Sequence, residues 1–246
     1  MRRAGVELSV VVPVYNEERR LPGSLVGLGL ALRGLAAEVI VVDNGSTDRT
    51  ADVVRDQRFP VTLLHCPDRG KGAAVRAGVL AARGRFVGFC DADLAASVDA
   101  LPSVLRLLRH GSDVVLGSRA HPGSQVRARH SLLRRLGAWA FRRAARSIVP
   151  GVGDTQCGFK FFTRELAVAA FEPLRTKGFT FDVEVLARLQ RLGAVVEEVP
   201  VRWIDVAGSS FAPLRHGLRS FADLQRIRAV LDTEPRPVPD LVPEAA

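Results

Sequence analysis

Two aspartates separated by one small residue, Asp91 and Asp93 on either side of Ala92, follow the apolar run Arg-Phe-Val-Gly-Phe-Cys at 85–90. A carboxylate pair just past a strand can offer hard oxygen ligands to Mg²⁺ or Mn²⁺, with water and ligand phosphate completing the shell. Taken alone, a D-x-D is more often a solvated turn. Its setting shifts the balance. Asp43 ends a second apolar run, 38–43, and Arg119 stands just past a third at 113–117. Lys71 lies between Gly70 and Gly72 at a helix start, where a cation and free N–H groups favour an anion. Carboxylates suited to a cation, and cations suited to phosphate, thus fall at the ends of successive strands.

The elements that must carry these residues alternate. Strand-like runs at 8–14, 38–43, 61–65, 85–90 and 113–117 are rich in β-branched and apolar residues, as expected of strands buried on both faces. Helical segments lie between them: one ending near Gly34, one from about Arg49, one at 70–82 and one at 98–110. Ser46, Thr47 and Asp48 can cap the second of these. The alternation predicts an α/β fold, with a mostly parallel, Rossmann-like central sheet flanked by helices. In such sheets ligands sit beyond the carboxyl ends of the strands, where Asp43, Asp91 and Arg119 fall.

After residue 120 the pattern changes. Seven arginines between 127 and 149 are interleaved with Leu, Trp, Phe and Ile. A helical wheel puts Leu133, Leu136, Ala140, Phe141, Ala144 and Ile148 on one face, with Arg134, Arg135, Arg142, Arg143 and Arg146 opposite. Such a basic amphipathic helix can lie in a membrane interface, and it can equally be a packing helix with a solvated arginine face. Further elements are expected at 159–163 (strand), 164–171 and 182–192 (helices), 195–201 (strand) and 213–231 (helix). The proline-rich stretch 232–246 is expected to be a disordered tail.

Composition narrows the classes. Lys+Arg number 35 against Asp+Glu 26, a net charge of +9, and the only lysines are Lys71, Lys160 and Lys177. Arginine's planar fork suits phosphates, so phosphate-bearing ligands, anionic lipid and nucleic acid are all compatible with the charge. The three cysteines, Cys66, Cys90 and Cys157, have no metal-ligand spacing and point to a reducing compartment. There is no signal-peptide pattern and no run of ~20 apolar residues to span a bilayer. A cytoplasmic protein, or one held peripherally at the cytoplasmic face of the membrane, is therefore expected.

Five motifs occur in order: Val11-Val12-Pro13-Val14-Tyr15-Asn16-Glu17, Val41-Val42-Asp43-Asn44-Gly45-Ser46-Thr47-Asp48, Gly70-Lys71-Gly72, Asp91-Ala92-Asp93 and Gly117-Ser118-Arg119. Together they resemble family 2 glycosyltransferases of the GT-A fold. The stretches from Asp154 to Thr163 and from Phe181 to Glu184 resemble the dolichyl-phosphate β-glucosyltransferase branch and related polyprenyl-phosphate hexose synthases. The resemblance implies one GT-A domain over 1–231, with a nucleotide-sugar-binding half (8–120) and an acceptor-binding half (121–231). Pro13, Tyr15, Glu17, Asp43, Lys71, Asp91, Ala92 and Asp93 would then bind the sugar nucleotide. Asp93 and Asp91 would hold Mg²⁺ or Mn²⁺, and Arg119, Arg127, Arg129 and Ser131 would hold the acceptor phosphate. Asp91, Asp93 and Arg119 would carry catalysis.

The implied reaction is inverting transfer of a hexose, glucose from UDP-glucose, to a polyprenyl or dolichyl phosphate. GDP-mannose as donor, a non-lipid hydroxyl acceptor, and a non-catalytic basic lipid- or nucleic-acid-binding module are the alternatives. Intact acidic strand ends favour the enzyme, for which a peripheral membrane contact and no nucleic-acid partner are expected. A lipid phosphate is already ionised and needs no strong base; for a hydroxyl acceptor, Asp154 or Asp182 would be the candidate base. Two departures from the family pattern stand out. Ala95 replaces a polar metal contact of some mannose synthases, and Ser210 stands where relatives often carry lysine.

Overall fold

The computed structural model describes residues 5–94, 96, 98–127, 132–204 and 213–235. Strand β1 (Leu8–Val14) is followed by α1 (Leu21–Ala31), β2 (Ala37–Asp43), α2 (Thr50–Arg55), β3 (Val61–His65), α3 (Lys71–Ala81) and β4 (Phe86–Cys90). A 3₁₀ turn at Val98–Ala100 leads into α4 (Leu101–Arg109) and β5 (Val114–Ser118). Then come β6 (Gln125–Arg127), α5 (Leu132–Arg146), β7 (Phe159–Thr163), α6 (Arg164–Phe171), α7 (Phe181–Arg191), β8 (Val196–Pro200), β9 (Arg202–Ile204) and α8 (Pro213–Thr233).

The main sheet has seven strands in the order β3-β2-β1-β4-β7-β5-β8, all parallel except β7, which runs antiparallel between β4 and β5. Wedged there, β7 must be apolar on both faces. Phe159, Phe161 and Phe162 are buried, and so is Lys160, at 0% exposure. Its ammonium survives in the core because the Asp182 carboxylate (2.7 Å) and the Cys157 carbonyl (2.5 Å) accept from it. Strands β6 and β9 form a separate parallel pair, and an isolated bridge from Ala96 to Trp203 ties that pair to the loop after Asp93.

Both faces of the sheet are covered. One core contains Leu21, Leu25 and Leu28 of α1, Val54 of α2 and Leu101, Val104, Leu105 and Leu108 of α4. The other is filled from α3, α5, α6, α7 and α8. Helix α7 is buried from Phe181 to Leu189, so its charged groups must be paired. Glu184 accepts from Arg188 and from the backbone N–H groups of Arg175 and Thr176 at 3.0 and 2.8 Å. Arg188 also reaches Glu234, so the ordered chain continues beyond the expected boundary at Leu231: α8 runs to Thr233 and an ion pair holds its end. Residues 236–246, the rest of the expected tail, lie outside the described residues.

Helix α5 departs from its wheel. Phe141, Ala145 and Val149 form the buried line, Phe141 packing edge-on to Phe221 of α8 at 5.8 Å between ring centres. Leu136, expected on the inner face, is 62% exposed, and Trp139 is 57% exposed.

Candidate active site

At the carboxyl rim of the sheet, a cavity of about 380 Å³ opens beyond β1 and β4. Its walls include Pro13, Tyr15, Glu17, Lys71, Asp91, Ala92 and Asp93, seven residues that the sequence assigned to the nucleotide sugar. Parallel neighbours β2, β1 and β4 end on the same side, which brings segments far apart in sequence to one place. Asp43 and Arg119 are not among the lining residues; Asn44 reaches the wall in place of Asp43.

The loop after β1 is fixed from β2's side. Ser46 Oγ accepts from the Asn16 N–H at 3.0 Å, Thr50 Oγ1 from Glu17 N–H at 2.8 Å, and Asn16 Oδ1 from Thr47 N–H at 2.8 Å. Asn16 has φ 54°, a left-handed conformation that this lattice of bonds stabilises. Tyr15 is left 44% exposed against the cavity, its ring face available for stacking. Asp48, expected as a cap, does accept from the Thr50 N–H at 3.0 Å. Asp43 is buried and accepts from Ser46 N–H, with His65 Nδ1 3.3 Å from its other oxygen.

Asp91 is placed from both sides. Its N–H donates to the Gly158 carbonyl at 3.0 Å, and its carbonyl accepts from Leu94 N–H in a tight turn, with Leu94 at φ 45°. Lys71 Nζ lies 2.5 Å from Asp91 Oδ1 and pairs with it. Burial would lower the Lys71 pKa, but the Asp91 and Asp182 carboxylates outweigh it and hold the ammonium above its ordinary value. Among the described residues no three His, Cys, Asp or Glu side chains converge as a metal cage. Two carboxylates on one cavity wall, Asp91 with about a third of its side chain exposed and Asp93 beside it in sequence, nevertheless offer the hard oxygen ligands such a cation takes, with phosphate and water completing its shell.

A Cβ at Gly158 would fall 2.1 Å from Asp91 Oδ2. Gly158→Ala should therefore push this carboxylate out of place and cut activity by about a hundredfold, because ~1 Å of misplacement at a reacting centre costs that much. Assays beside a thermal melt test this, and a fully active Gly158→Ala variant would refute the placement of Asp91.

The α3 N-terminus differs from expectation. The N–H groups of Gly72 and Ala73 donate to the Lys177 carbonyl at 2.8 and 3.4 Å, so they are not free for an anion. Gly70, at φ 128°, passes so close that a Cβ would stand 2.1 Å from that same carbonyl oxygen. What α3 presents to the cavity is the Lys71 side chain, with Ala74 one turn on.

Arg119 is not a free clamp either. Its Nε and Nη2 donate to Asp154 at 2.6 and 2.8 Å, its N–H donates to the same carboxylate, and its guanidinium lies 5.5 Å from the Trp203 ring centre. Burial alone would raise the Asp154 pKa, but Arg119 overrides it and holds the carboxyl at about 2. Asp154 is therefore a poor base. Asp182, the other candidate, is buried against Lys160. Burial raises the thiol pKa values of Cys90 and Cys157, so neither offers a thiolate. Arg129 and Ser131 lie outside the described residues, as do Ala95 and Ser210, and Arg127 is placed only as the end of β6.

Arg20, Arg69 and Phe179 on the wall escaped the sequence reading, and Asn44 and Gly70 stood in its motifs without a role in the site. Arg20 had a local signal, the i,i+3 spacing from Glu17, which it grips at 2.7 and 2.8 Å. Asn44 ties Gly70 N–H and the Asp68 carbonyl, both at 2.7 Å, a long-range role without a spacing signature.

This is the GT-A glycosyltransferase fold. The solved glucosyl-3-phosphoglycerate synthase from Mycobacterium tuberculosis superposes with a TM-score of 0.70 at 22% identity, over 91% of this chain and 80% of its own. The chain belongs to glycosyl transferase family 2, whose family pattern it matches over residues 9–169, and it is a glycosyltransferase. Dolichyl-phosphate beta-glucosyltransferase of Dictyostelium discoideum is 35% identical over 242 residues, covering 91% of this chain and 74% of its own. The Mus musculus enzyme of that name is 38% identical over 250 residues, covering 90% and 75%. Among the described residues no helix is long and apolar enough to cross a membrane.

Proposed function

We propose that this enzyme transfers glucose from UDP-glucose to a polyprenyl phosphate of the dolichyl type, with inversion at the anomeric carbon. The observation that carries the reading is the charge pattern of the cavity. Three acidic side chains (Glu17, Asp91, Asp93) face three basic ones (Arg20, Arg69, Lys71), so the wall is neutral by itself. A divalent cation together with a nucleoside diphosphate sugar preserves that neutrality; either one alone would leave buried charge uncompensated. Asp91 and Asp93 would hold Mg²⁺ or Mn²⁺, which when bound supplies Lewis-acid stabilisation of charge on the departing diphosphate. The mycobacterial synthase of the same fold has been solved in complex with Mn²⁺ and UDP, and with Mn²⁺ and UDP-glucose.

The chain's own residues would bind, orient and neutralise. Tyr15 stacks on the base, Glu17 accepts from the nucleoside, and Lys71 balances the carboxylates beneath the diphosphate. The acceptor phosphate would approach from the Arg119–Trp203 side, along the segment carrying Arg127, Arg129 and Ser131. With Asp154 and Asp182 both paired to cations, a nucleophile that arrives already ionised suits the site better than a hydroxyl. Direct displacement from an α-linked donor gives a β-linked product. The exposed Leu136 and Trp139, with exposed Arg142, Arg143 and Arg146 nearby, would rest on an anionic membrane surface at its cytoplasmic face.

The test is transfer of label from UDP-glucose or GDP-mannose to a short polyprenyl phosphate with Mg²⁺ or Mn²⁺, read in the organic phase. Glucose label should appear there, and only with metal added. Label from GDP-mannose alone, or none from either donor, would overturn the assignment.

A further inference from the structure

Among the described residues, the cavity wall comes from residues 13–93 with one exception, Phe179. It is the single side chain that the chain beyond residue 120 sends into this wall, and it brings an apolar ring among mostly charged and polar neighbours.

Its placement is enforced from two sides. Residues 172–180 join α6 to α7. The Arg175 and Thr176 N–H groups donate to Glu184 on α7 at 3.0 and 2.8 Å. On the other side, the Lys177 carbonyl accepts from Gly72 and Ala73 at the start of α3, and Lys177 Nζ lies 2.8 Å from Asp68 Oδ1. The approach to α3 is so close that a Cβ at Gly72 would stand 2.5 Å from the Thr176 carbonyl oxygen. Strapped to both helices, the segment leaves Phe179 half-buried against the cavity.

The sheet order gives its position along the cavity. Tyr15 and Asn44 follow β1 and β2, away from β7. Phe179 comes just before α7, whose Asp182 pairs with Lys160 of β7, and β7 starts next to Gly158, which anchors Asp91. The ring therefore borders the Asp91 end, toward the side from which the acceptor would approach. A donor with its base on Tyr15 and its diphosphate at the aspartate pair extends its hexose that way, because the anomeric carbon has to meet the acceptor. A pyranose presents electron-poor C–H groups on one face, which the negative face of a phenyl ring attracts while both surfaces shed water.

We infer that Phe179 contacts the donor's hexose, its ring packing on the sugar's C–H face. The inference rests on the proposed nucleotide-sugar reading of the cavity.

The experiment is a calorimetric titration of UDP and of UDP-glucose, each with Mn²⁺ and without acceptor, into wild type, Phe179→Ala, Phe179→Leu and Phe179→Tyr. Melting curves without ligand confirm folding, and Phe179→Leu carries the comparison if Phe179→Ala melts early. Phe179→Ala should weaken UDP-glucose about tenfold, as loss of an apolar contact of this size does, and leave UDP within about twofold of wild type. Phe179→Leu should fall between, and Phe179→Tyr, which keeps the ring face, should stay near wild type. Equal losses of UDP and UDP-glucose would mean that the ring serves only the fold or the nucleotide, and would overturn the inference. Unchanged UDP-glucose binding in Phe179→Ala and Phe179→Leu would overturn it too. If wild type binds GDP and GDP-mannose instead, the donor assignment falls and the same comparison is read on that pair. If wild type binds none of the four, the reading of the cavity falls and this inference with it, a result separable from the others.

Discussion

Asp93→Asn is expected to lower sugar transfer by on the order of a thousandfold while leaving the melting temperature nearly unchanged. The charge stabilisation that a carboxylate-held cation gives to a leaving diphosphate amounts to several kcal/mol, and each ~1.4 kcal/mol is tenfold in rate. Asp93 lines the cavity and lies near enough to Glu17 to help keep that carboxyl above its ordinary pKa, behind the larger effect of burial. Asparagine keeps the shape and removes the charge. Asp91→Asn is a less clean experiment, since it also strips Lys71 of its carboxylate and leaves a buried ammonium without its nearest partner. Initial rates of glucose incorporation with saturating Mn²⁺, beside a thermal melt, decide the matter. A rate within a few-fold of wild type would remove Asp93 from the reaction.

The second large effect is expected at Asp154. Asp154→Asn leaves the Arg119 guanidinium without its carboxylate, and breaking a buried pair from one side costs ~3–5 kcal/mol. Because the Arg119 side chain keeps 33% of its surface exposed, the loss should fall at the lower end of that range. The pair also predicts an acid limb. Asp154 titrates at about 2 in the folded protein against 3.8 for its reference, so the folded state prefers the ionised form. That preference contributes about 2 kcal/mol. It is complete above pH ~4, where the unfolded chain is ionised as well, and it disappears as pH falls through about 2. Urea unfolding of wild type and Asp154→Asn should therefore differ most near neutrality and converge only below pH ~2. Parallel curves across the whole range would show that the ion pair is not the source of the difference.

The strands that frame the cavity could be read from sequence for a physical reason. β1, β2, β4 and β5 are largely buried on both faces, so their composition is mostly apolar, Ser9 and Glu38 being interior exceptions that bond each other, and their ends coincide with Asp43, Asp91 and Arg119. The order of those strands was not legible in the same way. In Phe-Lys-Phe-Phe-Thr the lysine reads as a solvent-facing position, and Asp182, twenty-two residues on, makes its burial tolerable together with the Cys157 carbonyl. The run gives no hint that it enters backwards between β4 and β5. Arg119 shows the same limit: its type and strand-end position suggested a free phosphate ligand, whereas its pairing with Asp154 depends on a contact thirty-five residues away. On α5 the wheel correctly found an apolar line including Phe141 but could not tell how much of it a neighbour covers, and so misplaced Leu136. The acidic pair was legible because its chemistry is local, and so was Lys71 from its glycine-flanked helix start; Arg20 and the pairing of Arg119 were not, because each is defined by its partner.

The reversed strand also bears on how this chain can be taken apart. Among the described residues β5 finds its strand partners in β7 and β8, and the Asp91 backbone is anchored by Gly158, so a chain cut near residue 120 retains the donor motifs in name only. On the ribosome, the catalytic rim cannot close until about two thirds of the polypeptide has emerged. An engineer who wished to exchange the donor and acceptor portions between relatives would be cutting through a woven panel, with no seam to follow.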